Sequence, residues 1–118
     1  MKITEELINQ FAELTGDKNP IHLDEKAAKQ SRFGRRIAHG FLIGSLMSAE
    51  IARQYPDAVY TQQNMTFRRP VFIGDEITVD VQLAYDNVEV EVGNQKILRT
   101  RCLNQKGKEV LTGFGVII

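Results

Sequence analysis

The spacing of apolar residues along the chain changes just after Pro56. Before this residue, apolar positions recur at helical spacing, and after it apolar and polar positions alternate as they do in strands. No internal repeat, low-complexity tract or linker interrupts the chain, so we expect a single α+β domain over residues 1–118. The pattern therefore predicts helices first and a sheet second.

Two short helices are predicted in the first third of the chain. The hydroxyl of Thr4 can cap the first helix, which carries two glutamates in its opening turn and ends at Gly16. Asp24 is placed to cap the second helix, which extends to about Ser31. The segment from residue 17 to residue 22 is predicted as a loop between these helix ends.

A longer helix is predicted from Gly40 to Tyr55, where Pro56 stops it. Its apolar residues spread over much of its circumference, which is typical of a helix that is buried. These residues are Phe41, Leu42, Ile43, Leu46, Met47, Ile51 and Ala52.

Four strand-like runs follow, over residues 58–69, 75–85, 88–104 and 109–118. The third run has a predicted break at Gly93-Asn94, where two turn-forming residues meet. The connections at Asp86-Asn87 and at residues 105–108 are short, which favours antiparallel pairing. A long apolar helix on one face of an antiparallel sheet is the architecture that this order predicts.

Composition excludes several classes of partner. A chain of 118 residues can bury about two thirds of its unfolded surface. Its fifteen basic and fifteen acidic residues cancel, so no global field attracts nucleic acid or an anionic membrane. We therefore expect neither a nucleic-acid partner nor a membrane partner.

The cysteine content and the N-terminal sequence predict a cytoplasmic location. Cys102 is the single cysteine, so the chain can form neither an internal disulfide nor a zinc site built from several thiolates. Residues 1–7 lack the apolar run of a signal peptide, and no stretch has the length and apolarity of a membrane span. A reducing compartment is the simplest expectation.

The candidate chemistry lies in the segment Gly16-Asp17-Lys18-Asn19-Pro20-Ile21-His22. A carboxylate and an imidazole can together take one proton and deliver another near neutral pH, as the addition or removal of water across a carbon–carbon double bond requires. Asn19-Pro20 disfavours helix between them, so a turn can direct Asp17 and His22 at one point. The alternative is that Asp17 and Asn19 are ordinary turn formers and that His22 faces solvent.

Three blocks of sequence resemble the hydratase 2 signature of MaoC-like dehydratases. They are FAELTGDKNPIHLD at residues 11–24, AHGFL at residues 38–42 and FRRPVFIGD at residues 67–75, and together they span most of the chain. The resemblance implies a hot-dog fold, in which an antiparallel sheet wraps around the long central helix of residues 40–55. It also implies (R)-specific hydration of a trans-2-enoyl-CoA, or the reverse dehydration of a 3-hydroxyacyl thioester, with Asp17 and His22 as catalytic residues.

The chain departs from this family pattern at its beginning. Hot-dog dehydratases usually start with a short strand, and only Met1-Lys2-Ile3 precede the predicted helix cap. We therefore expect the first strand to be missing and the sheet to have four substantial strands. An unprotected edge favours pairing with a second copy of the chain, so we expect a homodimer or a larger homo-oligomer.

Gly40 is the second candidate site residue. Unsatisfied backbone N–H groups at a helix N-terminus can stabilise the negative charge that an enolate-like transition state places on a thioester oxygen. The absence of a side chain at Gly40 permits a close approach of substrate. The resemblance assigns the same contact to this glycine, although a tight join between loop and helix also requires one.

Three further residues have supporting roles in this hypothesis. Asn19 orients the loop or the water, and His39 shapes the pocket. Ser48 lies about two helical turns beyond Gly40 and matches a serine that lines the site in some family members. Its alternative role is a hydrogen bond to the carbonyl of Gly44.

Neither a metal nor a redox cofactor is expected. The residues Asp17, His22, Asp24 and His39 offer ligand atoms, but no metal-binding spacing organises them. The thioester substrate itself supplies coenzyme A or an acyl carrier protein.

Arginines in two groups can meet the phosphates of coenzyme A, but such residues more often form a solvated face, so no cofactor-binding residue is assigned. The two groups are Arg32, Arg35 and Arg36, and Arg68 and Arg69. A hot-dog thioesterase and a non-catalytic acyl-thioester-binding or structural subunit are the alternative functions, because one fold serves several activities.

Overall fold

Helices occupy the first half of the chain and strands the second. The computed structural model describes residues 1–90 and 93–118, and side chains outside residues 87–93. The helices of this part are α1 (Glu5–Thr15), α2 (Pro20–Leu23), α3 (Glu25–Lys29) and α4 (Gly40–Gln54). The strands are β1 (Tyr60–Gln63), β2 (Thr66–Phe67), β3 (Thr78–Val90), β4 (Gly93–Leu103) and β5 (Glu109–Ile117).

All strand pairs among these elements are antiparallel. The sheet order is β1-β5-β4-β3, and β2 also pairs with β5. Helix α4 lies against β3 and β4, and its buried face meets the apolar side chains that β4 and β5 direct inward. The predicted arrangement of a long helix on an antiparallel sheet is therefore confirmed.

The helix ends that capping residues predict are also confirmed. The hydroxyl of Thr4 accepts a hydrogen bond from the amide of Leu7 at 3.2 Å. Gly16 ends α1 with a φ of 77°, a left-handed conformation that glycine adopts without steric cost. The carboxylate of Asp24 accepts from the amides of Lys26 and Ala27, so it caps α3 as expected.

Helix α4 buries one face and leaves another open, which corrects the expectation of burial around much of its circumference. Leu42, Ile43, Met47 and Ile51 are buried. In contrast, Phe41 is 66% exposed. Ala52 is exposed as well.

The turn predicted at Asp86-Asn87 is wrong. Both residues lie within β3, which continues to Val90 and pairs there with Gly93. An irregularity in the register between Tyr85 and Val88 accommodates these turn-forming residues within the strand. The predicted break at Gly93-Asn94 is the beginning of β4.

The N-terminal residues pair with the segment that leads into β3, so the expected absence of a first strand is only partly correct. The amide of Ile3 donates to the carbonyl of Asp75 at 2.8 Å, and the amide of Ile77 donates to the carbonyl of Met1 at 2.9 Å. A single antiparallel bridge joins Lys2 and Glu76. These few bonds cover the start of the edge strand β3.

The strand predicted over residues 58–69 is divided into β1 and β2. Asn64 lies at the division, where its side-chain oxygen accepts from the amide of Phe114 at 2.9 Å. Its carbonyl lies so close to Gly113 that a Cβ at the glycine would be 2.0 Å from the oxygen. This close approach depends on glycine and cannot be read from the strand pattern.

Among the described helices, none has both the length and the apolarity that a membrane span requires.

Candidate active site

Two buried imidazoles form the centre of the candidate site. The rings of His22 and His39 are stacked, with centroids 3.9 Å apart and planes inclined by 28°. The ring of Phe11 on α1 lies 4.9 Å from that of His39. His22 is 9% exposed and His39 is 2% exposed, so His22 does not face solvent as the alternative interpretation required.

The hydrogen bond of His22 determines its tautomer. Its Nδ1 lies 2.8 Å from the carbonyl oxygen of Ile37. Because a carbonyl only accepts, Nδ1 carries the hydrogen, and the lone pair of the neutral ring lies on Nε2. This nitrogen can accept a proton or a hydrogen bond from water.

His39 has the opposite tautomer. Its Nε2 donates to the carbonyl of Asp17 at 2.9 Å. Its Nδ1 is buried without a hydrogen-bond partner among the described residues. Burial of an unpaired lone pair costs less free energy than burial of an unpaired N–H group, so Nδ1 is the nitrogen without hydrogen. His39 therefore supports its surroundings in two ways, since it stacks on His22 and holds the main chain at Asp17.

Asp17 lies at the exposed rim of this group. One carboxylate oxygen accepts from the amide of Asn19 at 3.3 Å, so Asp17 does form a turn, as the alternative interpretation held. The same residue is also close to the histidines. A carboxylate oxygen of Asp17 and one nitrogen each of His22 and His39 all lie within 4.8 Å of one another. The structure thus brings together the two residues predicted to be catalytic.

The backbone between these residues differs from the predicted loop. Residues 20–23 form the one-turn helix α2, with proline in its first turn. The side-chain oxygen of Asn19 accepts from the amide of Ile21 at 3.2 Å and caps this turn. Proline is compatible with the first turn of a helix because its missing N–H has no intrahelical partner there. Asn19 therefore orients the backbone that presents His22.

A cavity of about 480 Å³ opens beside His22, which is within the usual range for a small-molecule site. Its wall is largely apolar, and three arginines also contribute to it. The lining residues other than His22 and Gly40 are Arg32, Phe33, Ile37, Ala38, Phe41, Ile43, Phe67, Arg68, Arg69, Pro70, Val71, Val110 and Leu111. The cavity fits an apolar chain with a polar end.

Gly40 lines the same cavity and is the first residue of α4. The carbonyl of His39 accepts from the amides of Leu42 and Ile43, so the amide of Gly40 precedes the first bonded turn. A Cβ at Gly40 would lie 2.6 Å from the ring of Phe67. Glycine therefore keeps the helix start and this aromatic ring close together.

The structure does not bring Ser48 to this group. Ser48 is exposed on α4 and is not among the described residues that line the cavity. The helical spacing that places it two turns from Gly40 is correct, but this spacing does not bring the serine to the cavity wall.

Burial lowers the pKa of His22 below its ordinary value of 6.5. The hydrogen bond to Ile37 and the nearby carboxylate of Asp17 act in the opposite direction, whereas the second imidazole adds to the lowering. The net result favours the neutral ring, which is the form that accepts a proton.

Asp17, His22 and His39 also form a group of potential metal ligands. A zinc site needs lone pairs that converge on one point with tetrahedral geometry. Each imidazole lone pair lies in its own ring plane, and the two planes are stacked with centroids 3.9 Å apart and an inclination of only 28°, which does not favour convergence on one ion. The donor set is better suited to proton transfer than to metal binding, and the expected absence of a metal stays a prediction.

Sequence reasoning missed the role of Arg36 in this region. Arg36 is 5% exposed, although the sequence places it in a group of arginines expected to be solvated. Its Nε donates to the carbonyl of His22 at 2.6 Å. No local pattern distinguishes it from Arg35, because its partners are 11 and more residues away.

Known proteins are similar to this chain in sequence and in fold. Residues 1–104 match the family model described as MaoC like domain. The (R)-specific enoyl-CoA hydratase of Aeromonas caviae is 37% identical over 109 residues, which are 91% of this chain and 79% of that protein. The 3-hydroxybutyryl-CoA dehydratase of Methylorubrum extorquens is 50% identical over 76 residues, which are 63% of this chain and 48% of that protein. The chain thus aligns with about half of the second relative.

A solved structure gives the same result for the fold. The unliganded R-hydratase from Pseudomonas aeruginosa superposes with a TM-score of 0.86 at 39% identity, over 99% of this chain and 74% of that chain. The predicted hot-dog fold is therefore confirmed. On the match of residues 1–104 and the identity to the Aeromonas protein, the chain belongs to the MaoC-like domain family.

Proposed function

We propose that this protein is a hydro-lyase that adds water to a trans-2-enoyl thioester with (R) stereochemistry, or removes water from the corresponding 3-hydroxyacyl thioester. One observation carries the proposal. The carboxylate of Asp17 and a ring nitrogen of His22 lie within 4.8 Å of each other, and His22 lines a cavity that the helix start at Gly40 also lines.

Asp17 and His22 act together on one water molecule in this proposal. The lone pair on His22 Nε2 accepts one O–H of the water, and the carboxylate of Asp17 accepts the other. As the water oxygen bonds to C3, one of these groups takes its proton, and C2 receives a proton from the pair. Dehydration follows the same steps in reverse.

Gly40 stabilises the charge that develops on the thioester. As C3 is attacked, negative charge moves to the carbonyl oxygen, and the amide of Gly40 at the positive end of the fifteen-residue helix α4 can donate to it. The apolar wall then holds the acyl chain. Coenzyme A or an acyl carrier protein is the proposed carrier, and coenzyme A thioesters appear in the names of the two relatives above.

We further propose that the protein acts in the cytoplasm as a homodimer. The rings of Phe41 and Phe67 lie 6.2 Å apart beside the cavity, and these residues are 66% and 53% exposed. Together they make an apolar patch next to the edge strands β1 and β2. A second copy that covers this patch would also close the cavity mouth.

Crotonyl-CoA tests the proposed reaction directly. Purified protein is incubated with this substrate while the enoyl absorbance and free thiol are followed, and the product is separated on a chiral column. We expect absorbance to fall without release of thiol and the product to be (R)-3-hydroxybutyryl-CoA. Thiol release would instead identify a thioesterase, and binding with neither change would identify a non-catalytic subunit.

A further inference from the structure

We propose that Arg36 is a positioning residue that sets the orientation and tautomer of His22. The effect that we expect Arg36 to have on turnover depends on the hydratase function proposed above, whereas the effect on the imidazole of His22 does not. Arg36 reaches neither the cavity nor the reacting atoms, since the cavity is lined by Arg32, Arg68 and Arg69 among the arginines. It acts through the main chain of His22.

The carbonyl of His22 needs a partner from outside its own helix. Helix α2 ends at Leu23, so the amide four residues after His22 belongs to Lys26. That amide instead donates to the carboxylate of Asp24 at 2.9 Å. The Nε of Arg36 supplies the missing donor at 2.6 Å, in a buried position where an unpaired carbonyl is costly.

The residue after Arg36 holds the ring itself. The amide of Ile37 donates to the carbonyl of Ile21 at 3.3 Å, and the carbonyl of Ile37 accepts from Nδ1 of His22 at 2.8 Å. Ile37 is in turn bridged to Phe72. Two consecutive residues therefore hold the main chain and the imidazole of His22 against the core.

The guanidinium of Arg36 also connects the helices that frame the site. One terminal nitrogen lies 2.7 Å from the carboxylate of Glu5 on α1 and 3.7 Å from that of Glu25 on α3. The other terminal nitrogen donates to Asn9 at 3.4 Å. A planar fork with several donors can hold all these partners and the carbonyl of His22 at once, whereas the single ammonium of a lysine cannot.

The expected result of losing Arg36 is a change in His22. When the carbonyl of His22 lacks its donor, α2 can turn away from Ile37, and Nδ1 loses its acceptor. The neutral ring then populates the Nε2–H tautomer, in which no lone pair faces the cavity. The electrostatic surroundings of the ring change little, because the charged groups that shift the pKa of His22 are His39 and Asp17 rather than Arg36.

The imidazole can be observed directly because the chain contains two histidines. Tag-free protein labelled with ¹⁵N in histidine gives two sets of ring signals, which His39→Gln assigns. In the native protein we expect the Nδ1–H form for His22 and the Nε2–H form for His39. In Arg36→Lys and Arg36→Gln we expect the His22 signals to move toward the Nε2–H form while those of His39 stay within their native range.

Kinetics with crotonyl-CoA provide the second measurement. We expect kcat to fall tenfold or more in both Arg36 variants while KM changes less than about twofold, because His22 acts in the chemical step. Arg35→Lys and Arg35→Gln are the matched controls. Arg35 is the exposed neighbour, stacked 3.8 Å above the ring of Phe72, and these controls should leave both the spectrum and kcat unchanged.

The inference is overturned if folded Arg36→Lys keeps the native His22 signals and native kcat. It is also overturned if neither Arg36 variant folds while the Arg35 controls do, because Arg36 then serves the fold as a whole. Failure of the hydratase proposal is a different result, in which the native protein is inactive on crotonyl-CoA. The tautomer measurement still decides the role of Arg36 in that case.

Discussion

The two ends of helix α4 carry cavities of similar size and different chemistry. At its N-terminal end, a cavity of about 480 Å³ contains His22 and the first helical residue, Gly40. At its C-terminal end, a cavity of about 520 Å³ is lined by Tyr55, Pro56 and the last residues of the chain. The second cavity is slightly larger, so volume does not distinguish the candidate site.

Helix polarity and buried titratable groups do distinguish it. The N-terminal end presents unbonded amides and a partial positive charge, whereas the C-terminal end presents carbonyls. Only the first end can stabilise a thioester oxygen as charge develops on it. The first end also has two buried imidazoles, whereas the polar residues that line the second cavity, such as Asp57 and Lys96, are exposed or half-buried. A site therefore needs convergent polar groups as well as space.

The largest expected effect on kcat comes from substitution of the acidic and basic residues at the N-terminal end of α4. Asp17→Asn and His22→Ala should each lower kcat by about two orders of magnitude or more, the usual contribution of a general acid or base. Asp57→Asn at the second cavity is the matched control and should leave kcat unchanged. Near-native turnover in either Asp17→Asn or His22→Ala would refute the assignment, provided that circular dichroism shows a native fold.

A smaller effect is expected when the helix start is altered. In Gly40→Ala the new methyl group would lie 2.6 Å from the ring of Phe67, so either the ring or the helix start must move. We expect kcat to fall about tenfold, because small displacements of a positioned donor are costly. Gly44→Ala, one turn further along, would displace the thioether of Met65 instead and should retain activity. If Gly40→Ala and Gly44→Ala lower kcat equally, the helix N-terminus has no special role in the reaction.

The buried His22 at the N-terminal end of α4 also predicts how activity and stability depend on pH. Because burial lowers the pKa of His22 below 6.5, the acid limb of kcat/KM should lie below pH 6.5. The unfolded chain binds a proton near pH 6.5 and the native ring does not, so the free energy of unfolding should decline as pH falls from about 6.5 toward the native pKa. An NMR titration of His22 should give the same pKa as the kinetic profile. A limb above pH 6.5 would contradict the neutral, buried ring.

The smallest expected effect concerns the core between the two cavities. Cys102 is buried beneath α4, and burial raises the pKa of its thiol to about 12. We expect almost no reaction with a thiol reagent at pH 8 in native protein and rapid reaction in denaturant. Fast labelling of native protein would show that reagent enters the core beneath α4.

Local signals predicted much of the fold, and long-range contacts account for what they missed. Thr4, Gly16 and Asp24 act on amides within a few residues of themselves, so capping rules place these helix ends correctly. The turn predicted at Asp86-Asn87 is wrong because Tyr85 and Val88, on either side of these residues, pair with β4 and keep the segment within the strand.

The candidate site shows the same division. Asp17 and His22 are close in sequence, and the segment that contains them was recognised, although the helical turn α2 was not predicted. Arg36 was missed because its partners come from three different helices. Ser48 lies about two turns along α4 from Gly40, but it is exposed and is not among the described residues that line the cavity.

The groups assigned to the chemistry all lie between residues 17 and 40, whereas much of the cavity wall comes from residues 67–71 and 110–111. Seven of the fifteen lining residues therefore lie apart in sequence from the groups assigned to the chemistry, so part of the substrate fit is encoded separately from reactivity. Evolution can change the size of the wall residues Val71, Val110 and Leu111 without disturbing the hydrogen bonds that orient His22. Such a protein can acquire a preference for a new chain length by a few substitutions, and a library restricted to these wall positions offers a direct route to engineered specificity.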